Sequence, residues 1–120
     1  MREQPDGAAL LAMAREVLRR ELLPLLPKDK AYDALMIVNA MGIAERQLLQ
    51  GEGPVQEEQR QLAALLESDG DIAALQRLLA LRIRAGEFDE HAKAQALLWQ
   101  MTRQRVSESA PRALAAYGAE

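Results

Sequence analysis

Residues 72–85 read IAALQRLLALRIRA. At 100° per residue, Ile72, Leu75, Leu79 and Ile83 fall along one helical ridge. Ala74, Leu78, Leu81 and Ala85 form the ridge beside it. Asp71 stands where an N-cap belongs and Gly86 where a helix stops, so the segment reads as one helix with one apolar face. Arg82 breaks that face. It lies seven residues after Leu75 and four after Leu78, in the middle of the apolar arc. A guanidinium there needs a partner, because an unpaired charge is costly to bury.

The same reading extends outward in both directions. Asp6 caps a first helix whose arc is Leu10, Leu11, Ala14, Val17, Leu18 and Leu22; Pro24 and Pro27 end it. A second helix starts near Asp29 and runs to Gln50, with Gly51 as its stop. Between Ala34 and Ala44 its one polar residue is Asn39. A helix apolar nearly all round is central to a bundle or covered by another subunit. A third helix runs from about Val55 to Leu66, and its polar start (QEEQRQ) suggests a peripheral position. The fourth is Ile72–Ala85. Asp89 is the expected cap of a fifth, which runs to about Ser107, with one further turn in the tail. No segment shows strand alternation. The expected fold is therefore all-α, a compact antiparallel bundle of about five helices with short loops, forming one domain over residues 1–120.

Composition agrees. The chain has 120 residues and is 49% hydrophobic but only 3% aromatic, which suits a Leu/Ala/Ile/Met core. It has no cysteine, so disulfides, thiolate metal sites and thiol catalysis are excluded. A net charge of −3 argues against a nucleic-acid or anionic-membrane surface. No uncharged apolar run approaches the ~18 residues of a membrane span, and the N-terminus lacks a signal-peptide block, so a cytoplasmic location is expected.

Polar residues on apolar faces are the candidates for a site. Glu21 lies among Val17, Leu18 and Ala14. Tyr32, Leu35, Asn39, Gly42 and Arg46 share one stripe, and Gly42 opens room for close approach. Glu21, Asn39, Arg46 and Arg82 could thus converge. Three readings stand. Glu21 pairs with Arg82 or Arg46 and sets helix register; or Arg82 snorkels from its helix end to water or to terminal carbonyls; or the four groups bind a small anion. Trp99 is either core or an exposed anchor, with Arg77 and Arg84 as further partner-facing residues.

Other chemistry finds little support. Glu67, Asp69 and Asp71 lack the spacing of a calcium loop. His91 is the sole histidine and sits at a polar helix start. One histidine without cysteine makes neither a nucleophilic triad nor a zinc site, and no phosphate-binding glycine loop is present. The chain therefore reads, without a cofactor, as an accessory or interaction protein that leans toward a non-enzyme; or else as a small-anion or acyl-ligand binding protein or minor enzyme using the Glu21, Asn39, Arg46 and Arg82 cluster; or as a structural homodimer.

Three stretches carry a family resemblance: LLAMAREVLRRELLP (10–24), MIVNAMGIAERQL (36–48) and DGDIAALQRLLALRIRAGEFD (69–89). Together they resemble a family of small uncharacterised bacterial all-helical proteins. Its members are commonly encoded near aminoglycoside-phosphotransferase-like kinases and acyl-CoA dehydrogenases. The resemblance implies an accessory role beside such an enzyme, and it brings no catalytic residues to carry over.

Overall fold

A computed structural model describes residues 3–116, all of whose regular structure is helical. The order is α1 (Gly7–Val17), a π turn (Leu18–Leu22), a 3-10 turn (Leu23–Leu25), α2 (Lys28–Gln50), α3 (Gly53–Leu66), α4 (Ile72–Arg84), α5 (Ala92–Ser109) and α6 (Pro111–Ala116). The fold class is all-α, as the sequence reads. The chain divides between Gly51 and Glu52 into two compact units, each with its own packing.

The N-terminal unit pairs α1 and its two following turns with α2. Asp6 caps α1 by accepting from the Ala9 N–H at 3.0 Å. Pro24 does end the first helical run, through the 3-10 turn. The seam between the helices is built from small residues. Ala8, Ala34 and Gly42 are its buried members, and a Cβ on Gly7 would stand 3.5 Å from Leu48 Cδ1. Small residues bring the backbones close and leave little room for bulky side chains between them. Leu11, Leu18, Val38 and Met41 are half-buried at the edges of the seam. The arc expected to be buried is largely outside: Leu10, Val17 and Leu22 are all about half exposed. The π turn contributes to this. It winds less per residue than an α-helix, so Leu22 comes round toward the outer side, in line with Leu10 and Val17.

The second unit holds a core of the ordinary kind. Leu62 and Leu66 from α3, Leu75 and Leu79 from α4, and Ala94, Leu97 and Met101 from α5 cluster with Phe88. These are i, i+3, i+4 and i+7 spacings, the stripe that a helix buries against its neighbours. Leu62 and Leu66 are fully buried, so α3 is central along its C-terminal half rather than peripheral; only its first turns are polar. Asp71 caps α4 as expected, accepting from the Ala74 N–H at 2.8 Å. The cap of α5 is not Asp89 but His91, whose Nδ1 accepts from the Ala94 N–H at 3.1 Å. The His91 ring also meets Phe88 edge-on, with centroids 5.4 Å apart. Asp89 serves differently: its carbonyl accepts from the Gln95 side chain.

Among the described residues, one position that carries a side chain has a strained backbone. Glu67, just past α3, has φ 51°, a left-handed conformation that costs a side-chain-bearing residue stability. It allows the Ser68 N–H to return to the Ala63 carbonyl at 3.2 Å and close the helix.

Candidate functional site

Arg82 lies on the buried stripe of α4, one turn beyond Leu79, as the helical wheel places it. It is not buried, because that turn is the end of the helix and lies beside the end of α3. Its side chain is 33% exposed. Nη1 donates to the Leu66 carbonyl at 3.0 Å, and Nε stands 3.7 Å from Glu87 Oε2. The guanidinium thus supplies a donor to a C-terminal carbonyl of α3, where helix dipoles favour a cation. Among the described residues no polar or charged residue is buried as a whole. Of the three readings, a buried pair of Arg82 with Glu21 does not describe these contacts; the side chain snorkels, and the carbonyl it reaches belongs to the neighbouring helix rather than its own.

The other three candidates have different settings. Glu21 is exposed on the π turn and Asn39 is exposed on α2. Arg46 is half-buried over Gly42: a Cβ on Gly42 would lie 3.4 Å from Arg46 Nη1 and 3.1 Å from Arg15 Nη1. The room that Gly42 opens is filled by guanidinium. Arg15 Nη2 in turn stands 2.9 Å from Glu45 Oε1, a buried oxygen whose contact with it is ionic rather than an aligned hydrogen bond. The polar cluster of the first unit is therefore Arg15, Glu45 and Arg46. Sequence reading placed Arg46 in it and missed Arg15 and Glu45. Both sit on the side of their helices that carries Ala8 and Ala34, two and three turns on respectively, and that spacing was the available signal.

The second unit has its own polar hub, which sequence reading also missed. Glu58 on α3 has a side chain only 15% exposed. It accepts from Gln76 Nε2 of α4 at 2.6 Å and lies 3.9 Å from Arg105 Nη2 of α5. One carboxylate thus ties three helices. Beside it, Glu57 receives a two-pronged contact from Arg60 at 3.0 and 2.5 Å and a third from Gln61 at 2.7 Å. Hydrogen bonding by Arg60, then by Gln61, holds the Glu57 carboxyl down at about 2. These two glutamates line a shallow cleft with Gln61, Leu97, Gln100 and Met101.

Trp99 is 58% exposed, because the buried stripe of α5 is Ala94, Leu97 and Met101 and residue 99 points away from it. It lines an open groove with Ala96, Arg103 and Leu114 of α6. Arg77 and Arg84 are exposed on α4. Among the described residues no group of three or more His, Asp or Glu could hold a metal ion, and no helix is long and apolar enough to cross a membrane.

The most prominent surface is apolar. Of the sixteen large hydrophobic side chains exposed among the described residues, twelve fall between Leu10 and Leu49. On α1 the outer positions are Leu10, Met13, Ala14 and Val17, without a charge among them, while Arg15 and Glu16 lie toward the seam or its flanks. Isolated exposed leucines are ordinary; a continuous stripe of them is not.

Fold and surface together define an all-α protein with polar clusters that tie helices and an apolar face that no described helix of its unit covers. Residues 24–113 match the family model described as a domain of unknown function, DUF6285, and the chain belongs to that family. The matched stretch takes in two of the three segments that carried the resemblance, and begins where the first one ends. No curated protein and no solved structure matched the chain.

Proposed function

We propose that this protein is a non-enzymatic interaction module that engages another protein through the outer face of its N-terminal helical hairpin. The observation that carries the reading is the uncharged stripe Leu10, Met13, Ala14 and Val17, exposed beside a seam of Gly and Ala. Stripes of this kind dock helices through anchors spaced i, i+3 and i+7. The titratable clusters support it from the other side. Arg15 with Glu45, Arg82 with the Leu66 carbonyl, and Glu58 with Gln76 are each engaged in holding helices together. The family resemblance nominates a phosphotransferase-like kinase or an acyl-CoA dehydrogenase as the enzyme that the module would assist in the cytoplasm.

Co-purification of the tagged full chain beside its Met13→Glu variant tests the proposal. A protein retained by the wild type and lost from the variant supports it; equal recoveries on both overturn it. A second reading, anion binding, draws on the two guanidiniums over Gly42. Titration with inorganic phosphate checks it: a saturable signal that Arg46→Met removes would favour this reading over the first.

A further inference from the structure

The geometry points to a pH-dependent latch at the start of α5, with the His91 imidazole as its catch. His91 is the sole histidine of the chain, and histidine is the side chain whose ordinary titration falls between pH 5 and 8. Its Nδ1 accepts from the Ala94 N–H at 3.1 Å. Only a neutral ring has a lone pair to offer at that nitrogen; an imidazolium carries N–H on both sides. Protonation therefore sets a donor against a donor, and the cap is lost. A cation at a helix N-terminus is also opposed by the helix dipole. This device belongs to the second unit and is independent of the interaction reading above.

Burial behind the cap makes its loss felt. Ala94 is fully buried, in the same cluster as Phe88 and Leu97. Without its acceptor the Ala94 N–H becomes a buried donor with no partner, which folded chains avoid. Water has to reach it, so the first turn of α5 opens. The ring also rests edge-on against Phe88, with centroids 5.4 Å apart. The backbone ties the same residues together. The His91 N–H donates to the Phe88 carbonyl at 3.2 Å, and the His91 carbonyl accepts from the Gln95 N–H at 3.0 Å. A swing of the ring therefore disturbs Phe88, a member of the buried core.

The charges around the ring supply its second position. His91 lines an open hollow with Gly86, Glu87, Asp89 and Glu90. Three carboxylates on one turn favour an imidazolium that has left the amide. The cations of the adjoining elements are placed differently. Arg82 of α4 stands 3.7 Å from Glu87, and Arg60 of α3 is paired with Glu57. Lys93, two residues on along α5, lines the groove between α3 and α5 with Arg60. The neutral ring thus holds the helix amide, and the charged ring turns to the acidic hollow.

NMR spectroscopy of the full chain from about pH 8 to pH 5 tests the latch. The Ala94 amide resonance should move with the same midpoint as the His91 ring protons. Its protection against hydrogen exchange, taken relative to the intrinsic rate at each pH, should fall roughly fivefold across that midpoint. The Leu79 amide, within α4, should not follow. Asparagine caps a helix without titrating, so His91→Asn should keep the Ala94 protection constant over the same range. A ring that titrates while Ala94 protection stays constant overturns the latch, as does a ring that does not titrate in this range. A loss that His91→Asn reproduces overturns it too, since the carboxylates would then be its source. A loss shared equally by Leu79 shows general acid destabilisation and overturns the local opening.

Discussion

Arg82→Met is the most discriminating substitution in the second unit. Removing the guanidinium takes a charged donor from the Leu66 carbonyl, 3.0 Å away. Leu66 is 1% exposed, so water is a poor replacement. A hydrogen bond to a charged donor contributes about 1.5–3 kcal/mol, and the lower end applies to a side chain one-third exposed. The cation at a helix C-terminus adds about 0.3–1 kcal/mol. The Glu87 contact, at 3.7 Å and exposed, adds ~0–0.5 kcal/mol. Methionine recovers part of this by filling the apolar stripe. The expected loss is therefore about 1–2 kcal/mol, or roughly 4–8 °C in Tm. Denaturant titration followed by Trp99 fluorescence reads it, since Trp99 belongs to the same unit. Adding Glu21→Leu should change nothing beyond that variant's own effect, because Arg82 takes its partners from Leu66 and Glu87. A loss of about 3–5 kcal/mol that Glu21→Leu reverses would refute this account and restore a buried register-setting pair. No loss at all would refute the role at the α3 terminus.

Other outcomes follow from the same contacts. Glu58→Ala should cost about 1–3 kcal/mol by urea denaturation, since it leaves Gln76 and Arg105 without their shared acceptor. Glu67→Gly should raise stability by about 0.5–1 kcal/mol, because glycine relieves the left-handed strain at φ 51°. His91→Ala should lower the thermal midpoint through loss of the α5 cap, about 1 kcal/mol, whereas His91→Asp should preserve it. Arg60, and then Gln61, hold the Glu57 carboxyl down at about 2 in the folded chain, against an ordinary value of 4.5. A lowered folded value means stabilisation that is present above pH 4.5 and lost as pH falls through about 2. Denaturation midpoints between those limits should lose part of their pH slope in Arg60→Ala, and high salt should flatten it in the wild type, because the pair is exposed.

Most of the helices were legible from punctuation. Asp6 and Asp71 cap as aspartates do, and Gly51 and Gly86 close α2 and α4 at positive φ. Asp89 misled because aspartate is the commoner cap; the histidine two residues on took the position through its ring nitrogen. The wheel placed Arg82 on the right stripe but could not show that the stripe ends beside another helix terminus. That is a tertiary fact. Burial in the first unit was harder still. The arc of α1 is obvious in sequence, yet which side faces α2 is decided by the small residues of the seam. Leucine density predicts an apolar surface; it does not say whether the same chain covers it. Arg15 and Glu45 stayed hidden for the same reason, since their pairing exists only once α1 and α2 approach across Gly42.

The Arg82 contact has a dynamic consequence. This one side chain holds the last carbonyl of α3 and stands over Glu87, whose N–H returns to the Arg82 carbonyl at 3.1 Å. The turn after α3 and the turn after α4 are thus fastened at a single point. Neither can fray without releasing the other. Amide hydrogens in residues 67–71 and 85–91 should then exchange in one shared opening event rather than as two independent loops, and cutting the fastening at residue 82 should let each keep its own rate.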